Sequence, residues 1–259
     1  QVINVIDKNL NVVWSNWHDH DYISEQERQS KPKCHRVFLH KQHPCEKCHV
    51  LEIFETGKPI TAEVHNSVDG GYKEVRSFPV RDVTGEVKYV VEYAEDITQR
   101  KRHEKVQQAL VNIAEASYSA PGVREFIALV HKELGTIIDA ANFYIALWDP
   151  ETEYYSFPYS VDQYDGTDFT PEQLKKSLTD YVRRTGRPLL ADEATHRRLL
   201  QAGEADIVGQ PSKLWMGVPL KTANGVIGVV VVQNYTDNHA YSSADLQVVA
   251  KIERDDHER

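Results

Sequence analysis

The sequence predicts an α+β chain of two domains, each an antiparallel sheet flanked by helices, with a helix joining them. Three observations carry this. The chain has 259 residues, room for two cores when single domains cluster near about 100 to 150. Short β-branched segments separated by turn formers occur in both halves. Between them, residues 99–117 contain no turn residue and carry one apolar stripe, Val106, Ala109, Leu110, Ile113 and Ala116, the signature of a helix with one buried face.

The elements follow in order. Residues 2–7 and 11–14 read as strands of a hairpin, with Lys8-Asn9-Leu10 as the turn. Residues 16–44 are polar and His-rich, with Pro32 and Pro44, so any helices there are expected to be short. Residues 48–56 place Val50, Leu51 and Phe54 at helical spacing, and Gly57 is a natural stop. Strands are expected over 60–66, 73–81 and 87–94, divided by Asp69-Gly70-Gly71 and Asp82-Val83-Thr84-Gly85. After the joining helix, Pro121-Gly122 opens a second one with Val123, Phe126, Ile127, Val130, Leu134, Ile137 and Ile138 on one face. Strands 142–148 and 154–160 flank Asp149-Pro150-Glu151-Thr152 and are expected to pair. Pro171 opens a helix over 172–185 closed by Gly186, and a shorter one spans 192–201. Strands 214–220 and 226–233 meet at Asn224-Gly225, and the run Val229-Val230-Val231-Val232 implies burial on both faces. A last helix starts at Ser242 or Ser243.

Bulk properties narrow the function. The chain carries 30 Lys and Arg against 39 Asp and Glu, a formal charge of −9, which repels phosphate backbones and anionic lipid. Nucleic acid and membrane contact are therefore disfavoured. No apolar run reaches the roughly 20 residues of a membrane span, and no leader pattern opens the chain, so a cytoplasmic segment of a longer protein is expected. The three cysteines all lie between positions 34 and 48, an odd count that cannot close a disulfide framework.

Two stretches carry a family resemblance. The strand ending in Glu95-Asp96-Ile97-Thr98, running into Gln99-Arg100-Lys101, resembles the exit of a PAS domain, whose acidic and hydroxyl side chains tie the sheet to the exit helix. One PAS subgroup also places a cysteine, then Pro-Cys-x-x-Cys, then a helix, where Cys34, Pro44-Cys45-Glu46-Lys47-Cys48 and Leu51 to Thr56 stand here. Arg184-Thr185-Gly186-Arg187-Pro188-Leu189-Leu190, Gln210 through Leu220 around Trp215, and Val226-Ile227-Gly228-Val229 resemble a GAF domain. The resemblance implies a PAS-like sensor over 1–98, a connecting signalling helix over 99–118 and a GAF-like sensor over 105–255. It further implies a noncatalytic sensory part of a two-component histidine kinase, a homodimer that binds a small molecule or metal and passes the signal on through its helices. Asp96 and Thr98 are then the signal-coupling residues. A ligand-free dimerisation scaffold and a metal or redox protein are the alternatives. His103-Glu104 lacks the continuation of a phosphoacceptor box, and no glycine-rich ATP box is present, so catalysis is expected outside this chain. The GAF-like half has no cysteine for a thioether-linked chromophore, and Asn234-Tyr235-Thr236-Asp237 departs from the cyclic-nucleotide pattern.

Two constellations carry chemistry. Cys34, Cys45 and Cys48 lie near His43 and His49, and two thiolates spaced Cys-x-x-Cys with a third thiolate or an imidazole can enclose a tetrahedral zinc. Cys45-Glu46-Lys47-Cys48-His49 also matches covalent haem attachment with His49 as axial ligand, ranked below zinc, and free or redox-active thiols are the remaining reading, set slightly ahead of both. In the second half, strand alternation puts Tyr144, Ala146 and Trp148 on one face, where with Tyr155 and Trp215 they form a candidate small-molecule pocket or ordinary core packing. The joining helix could pair with its copy through its stripe.

Overall fold

Hairpins at the sequence's turn signals organise both halves. The computed structural model describes residues 1–16, 25–66, 70–164, 174–206 and 208–254. The chain divides into two compact units, Gln1–His103 and Glu104–Arg259.

In the first unit, β1 (Val2–Ile6) and β2 (Val12–Ser15) form the expected hairpin. Its turn is held by Asp7 Oδ1, which accepts the backbone N–H of Asn9 and of Asn11, each at 2.9 Å, while Leu10 takes a left-handed φ of 65°. The polar region yields short helices, α1 (Glu25–Gln29) and α2 (Cys34–Leu39). Next, α3 (His49–Thr56) runs from Cys48 at its N-cap to Gly57, whose φ of 67° ends the helix without a Cβ penalty. Strands β3 (Ile60–His65), β4 (Tyr72–Arg81) and β5 (Val87–Asp96) complete an antiparallel sheet in the order β2-β1-β5-β4-β3. Asp69 of the first predicted turn lies outside the described residues. The core joins Ile6, Leu10, Val50, Ile53 and Val90, with Cys34 and Cys48 packed against it.

The long helix α4 (Thr98–Ser119) leaves this sheet and enters the second unit. Its stripe does not face outward for a copy: Val106, Ala109, Ile113 and Ala116 are buried. Ile113 belongs to the second unit's own core, and Asn112 Nδ2 donates to Glu133 Oε2 of α5 (Val123–Leu134) at 3.0 Å. A homodimer through this stripe would compete with that core, so the stripe is corrected from a pairing surface to an internal one.

The second sheet holds β6 (Phe143–Asp149), β7 (Tyr154–Val161), β8 (Leu189–Asp192), β9 (Leu214–Thr222) and β10 (Gly225–Asn234) in the order β7-β6-β10-β9-β8, again antiparallel throughout. The helix predicted from 172 begins later, as α6 (Leu178–Thr185), because the Ser177 hydroxyl caps it by accepting the Asp180 N–H; its predicted start, with Pro171, lies outside the described residues. Strand β8 was not predicted, being four residues with no turn signal of its own. Asp192 then caps α7 (Glu193–Gln201) through Thr195 N–H. With α4 and α5, the last helix, α8 (Ser243–Arg254), covers one face around Phe143, Ile145, Met216, Val230 and Val232. On the opposite face, α6 and α7 cover Trp215, Val229 and Val231. This double cover explains why all four consecutive valines are buried. No helix among the described residues is long and apolar enough to cross a membrane.

Candidate functional site

The cysteine region is built at two helix starts. Cys34 opens α2 and Cys48 caps α3, so both thiols meet the first core, and Cys45 sits in the turn between the helices. All three are free thiols. Burial pushes the Cys34 thiol up to about 12, helped by the charges of Glu92, Cys48 and Cys45, and burial also raises Cys48. The thiols thus sense one another and a carboxylate that sequence reasoning had not placed with them. His43 acts on His35, whose imidazole is lowered mainly by burial. Among the described residues, no three His, Cys, Asp or Glu side chains converge as metal ligands.

Glu92 is the missed residue. It lies two positions from fully buried Val90 on β5 and so shares the helix-facing side of the sheet. Register sets Asn4 of β1 and Ser77 of β4 opposite it, and Ser15 of β2 opposite Asn4. Asn4 and Ser77 are 3% and 0% exposed, whereas Glu92 is half-buried and keeps access to solvent. Burial pushes its carboxyl up to about 7; the Ser77 hydroxyl, donating over a long 3.4 Å, opposes this only weakly. A charged residue at an inward position of an alternating strand was the signal available in the sequence.

The exit from this sheet is tied at two residues. Asp96 Oδ2 accepts from Lys73 Nζ at 2.5 Å and Asp96 Oδ1 accepts the Thr98 N–H at 2.9 Å. The Thr98 hydroxyl accepts the Tyr72 N–H at 2.9 Å, and Ile97 N–H donates to the Tyr72 carbonyl. The Lys73 hydrogen bond, with those from Thr98, brings Asp96 down to about 2. Arg100 and Lys101, one turn into α4, both pair with Glu63 of β3.

In the second unit the four predicted aromatic residues share one side of the sheet. Trp148 and Tyr155 stand opposite one another with ring centroids 4.9 Å apart, and Trp215 Nε1 donates to the Tyr144 hydroxyl at 3.4 Å. Their polar ends are already engaged by α6. Tyr144 shares a 2.9 Å hydrogen bond with Thr179, and the Tyr155 hydroxyl donates to Asp180 at 2.7 Å. Arg183 donates to Tyr155 and Asp180 and lies 4.1 Å over the Trp148 ring, while Arg184 donates to the other Asp180 oxygen. Burial alone would raise Asp180, yet the hydrogen bonds from Tyr155, Arg183 and Arg184 outweigh it and leave the carboxyl low. The Asp-x-x-Arg-Arg spacing from 180 to 184 made this pairing readable in the sequence. Asp192 and Glu193, next to His196, cap and brace α7, the latter pairing with Arg197 at 3.0 Å.

Two sheets of one strand order, each backed by helices and linked by a single helix, define a tandem sensory-domain protein. The family model described as PAS fold matches residues 1–102 and that described as GAF domain matches residues 123–252. The chain belongs to the GAF domain family and carries a PAS-fold domain ahead of its GAF domain. Among solved structures it is similar to the GAF domain of an Acinetobacter phosphoenolpyruvate-protein phosphotransferase, at 16% identity and TM-score 0.48, covering 60% of this chain and 89% of that one. The GAF domain of the Coxiella burnetii phosphoenolpyruvate-protein phosphotransferase gives 15% and 0.47, covering 59% and 90%. The chromophore-binding domain of a bacteriophytochrome from R. palustris gives 10% and 0.45, covering 98% and 90%. No curated protein matches the chain.

Proposed function

We propose that this chain is the noncatalytic sensing segment of a cytoplasmic two-component histidine kinase, in which the PAS half takes up a small molecule and α4 carries the change to an output domain. The observation that carries this is the clamp at Asp96 and Thr98, which fastens the first residues of a 22-residue helix to the β4 strand. A shift of the sheet then becomes a shift of the helix start, a bias between two states that a ligand moves by its differential affinity. Amide hydrogen exchange on Asp96→Ala tests it. Exchange over residues 98–103 is expected to rise roughly tenfold while the β1–β5 ladder stays protected. Unchanged exchange over those residues counts against the coupling role.

A metal at Cys34, Cys45 and Cys48 is the second reading, favoured by the mutual effect of the three thiols. Zinc comes before haem, and binding requires the Cys45 turn, with His43 or His49, to close on the other two thiols and displace their protons. Elemental analysis and a visible spectrum of protein with and without Cys45→Ser and Cys48→Ser decide it: one zinc per chain, lost in the variant, supports the metal, and a metal-free colourless protein ends it. Homodimerisation is part of the proposal, through a face other than the α4 stripe.

A further inference from the structure

We propose that the helix-facing side of the PAS sheet binds a small organic cation bearing a planar amidinium or guanidinium group, with Glu92 as its counter-ion. The inference deepens the sensing role given above to this half and rests on it.

The floor of this site is a row of acceptors. Ser15, Asn4, Glu92 and Ser77 stand side by side across β2, β1, β5 and β4. Among the described residues Asn4 Oδ1 accepts from Ser15 Oγ alone, at 2.7 Å, which leaves a lone pair, and Glu92 accepts from Ser77 at 3.4 Å. No Lys, Arg or His pairs with Glu92 among the described residues, although other acidic side chains there, Glu63, Glu74, Asp96, Glu153, Asp180, Glu193 and Glu204, have such partners. A carboxylate facing a core with one long hydrogen bond and no cation is an unfavourable arrangement for folding alone. It becomes favourable when a cation enters.

The wall opposite is apolar and uncharged. Val50, Ile53 and the Cys34 and Cys48 thiols pack there, and the thiols stay protonated because burial and Glu92 raise them. Among the described residues, the titratable groups on the helix side that feel the Glu92 charge are the Cys34 and Cys48 thiols, and its register partners on β1 and β4 are Asn4 and Ser77; Arg81 of β4 is engaged with the Gly57 carbonyl at the end of α3. An acceptor floor with an apolar wall selects a cation that has a flat donor fork and an apolar body. The fork matches the two carboxylate oxygens, which a compact ammonium cannot do at both.

Because Glu92 is pushed up to about 7, the cation competes with a proton. Affinity is expected to rise roughly tenfold between about pH 6 and about pH 8 and to level off above. The test is calorimetric titration of the intact chain with methylguanidine and with acetamidine, using Glu92→Gln as the variant that keeps shape and removes charge. Melting curves of the variant first establish that it is folded. Binding that weakens at least roughly tenfold in the variant and shows the stated pH dependence is the expected result. Equal binding by the variant, a flat pH profile, or no heat at about 10 mM of either probe overturns the proposal. So does zinc chloride binding that needs the cysteines while both organic cations fail. A failed titration leaves the Asp96 exchange experiment untouched, so loss of the ligand class and loss of the coupling role are read separately.

Discussion

The two sheets share one strand order, a hairpin at one edge and a second hairpin bringing its strands back beside the first, yet they are dressed differently. Among the described residues the GAF sheet has helices on both faces, whereas the PAS sheet packs α2 and α3 on one. On the other face of the PAS sheet Trp14 and Phe78 are 53% and 47% exposed. The inward carboxylates differ in the same way. Asp180 is 4% exposed and receives Tyr155, Arg183 and Arg184, which hold it low. Glu92 receives one long hydrogen bond and is pushed up to about 7. The same chemical group serves as a structural tie in one half and stands uncompensated in the other. On the GAF face predicted as a pocket the polar ends of Tyr144, Tyr155 and Trp215 are hydrogen-bonded, and on the PAS face Glu92 has no cation partner among the described residues.

The comparison breaks most readily at Asp180. Asp180→Ala strands Arg183 and the Tyr155 hydroxyl in a half-dry site and is expected to cost about 3 kcal/mol, lowering the urea midpoint of the second unit while the first unit's signals hold. A loss below about 1 kcal/mol would mean the network is ornamental.

Glu92→Gln should act in the opposite direction. The carboxyl has its ordinary value of 4.5 when unfolded and about 7 when folded, so the folded state holds the extra proton between them. Stability therefore falls as pH rises from about 4.5 to about 7, and the variant, which cannot ionise, escapes that loss. Its gain is expected to be nil near pH 4 and at most about 3 kcal/mol near pH 8, measured by urea unfolding at both. A variant less stable at pH 8 would sink the contrast with Asp180.

A smaller effect is expected at Gly217, where an added Cβ would lie 2.2 Å from the Trp215 ring. Gly217→Ala must push the indole off the sheet and away from Tyr144, at about 1 to 3 kcal/mol, and near-ultraviolet circular dichroism reports the displacement. An unchanged aromatic spectrum would show that Trp215 is not seated by that glycine. Smallest is Asp96→Asn. Asp96 is lowered to about 2 by Lys73 and Thr98, and its side chain is 59% exposed, so solvent screening limits the pair to about 0.5 kcal/mol at neutral pH. Its folded value lies below the ordinary one, so this contribution is present above about pH 4 and disappears as pH falls through about 2, where variant and parent should unfold alike.

Much of this was legible along the chain because the signals are local. Asn224 ahead of Gly225, Gly57 after α3 and the alternation through β6 each act within a few residues, and each appears where expected. Functional readings were legible only in part. The four aromatic residues do share a face, yet their hydroxyl and indole groups meet Thr179, Asp180 and one another, which depends on α6 docking across the sheet. The Cys34 and Cys48 thiols do meet one core, and Cys34 feels the charge of Glu92, 58 positions later in the chain, which no local pattern announces. Strand β8 escaped because it is a four-residue edge strand that acquires its strand character from β9 alone.

The sequence by itself determined the order and type of nearly every element, the two-unit division, the turns and the double burial of the valine run. Those depend on periodicity and turn chemistry within one segment. Only the tertiary structure decided that the α4 stripe is used internally, that Glu92 faces the core without a cation, and that the aromatic face is occupied by its own partners. Each of those outcomes depends on register and docking between distant segments, where a shift of one residue turns a side chain to the other face.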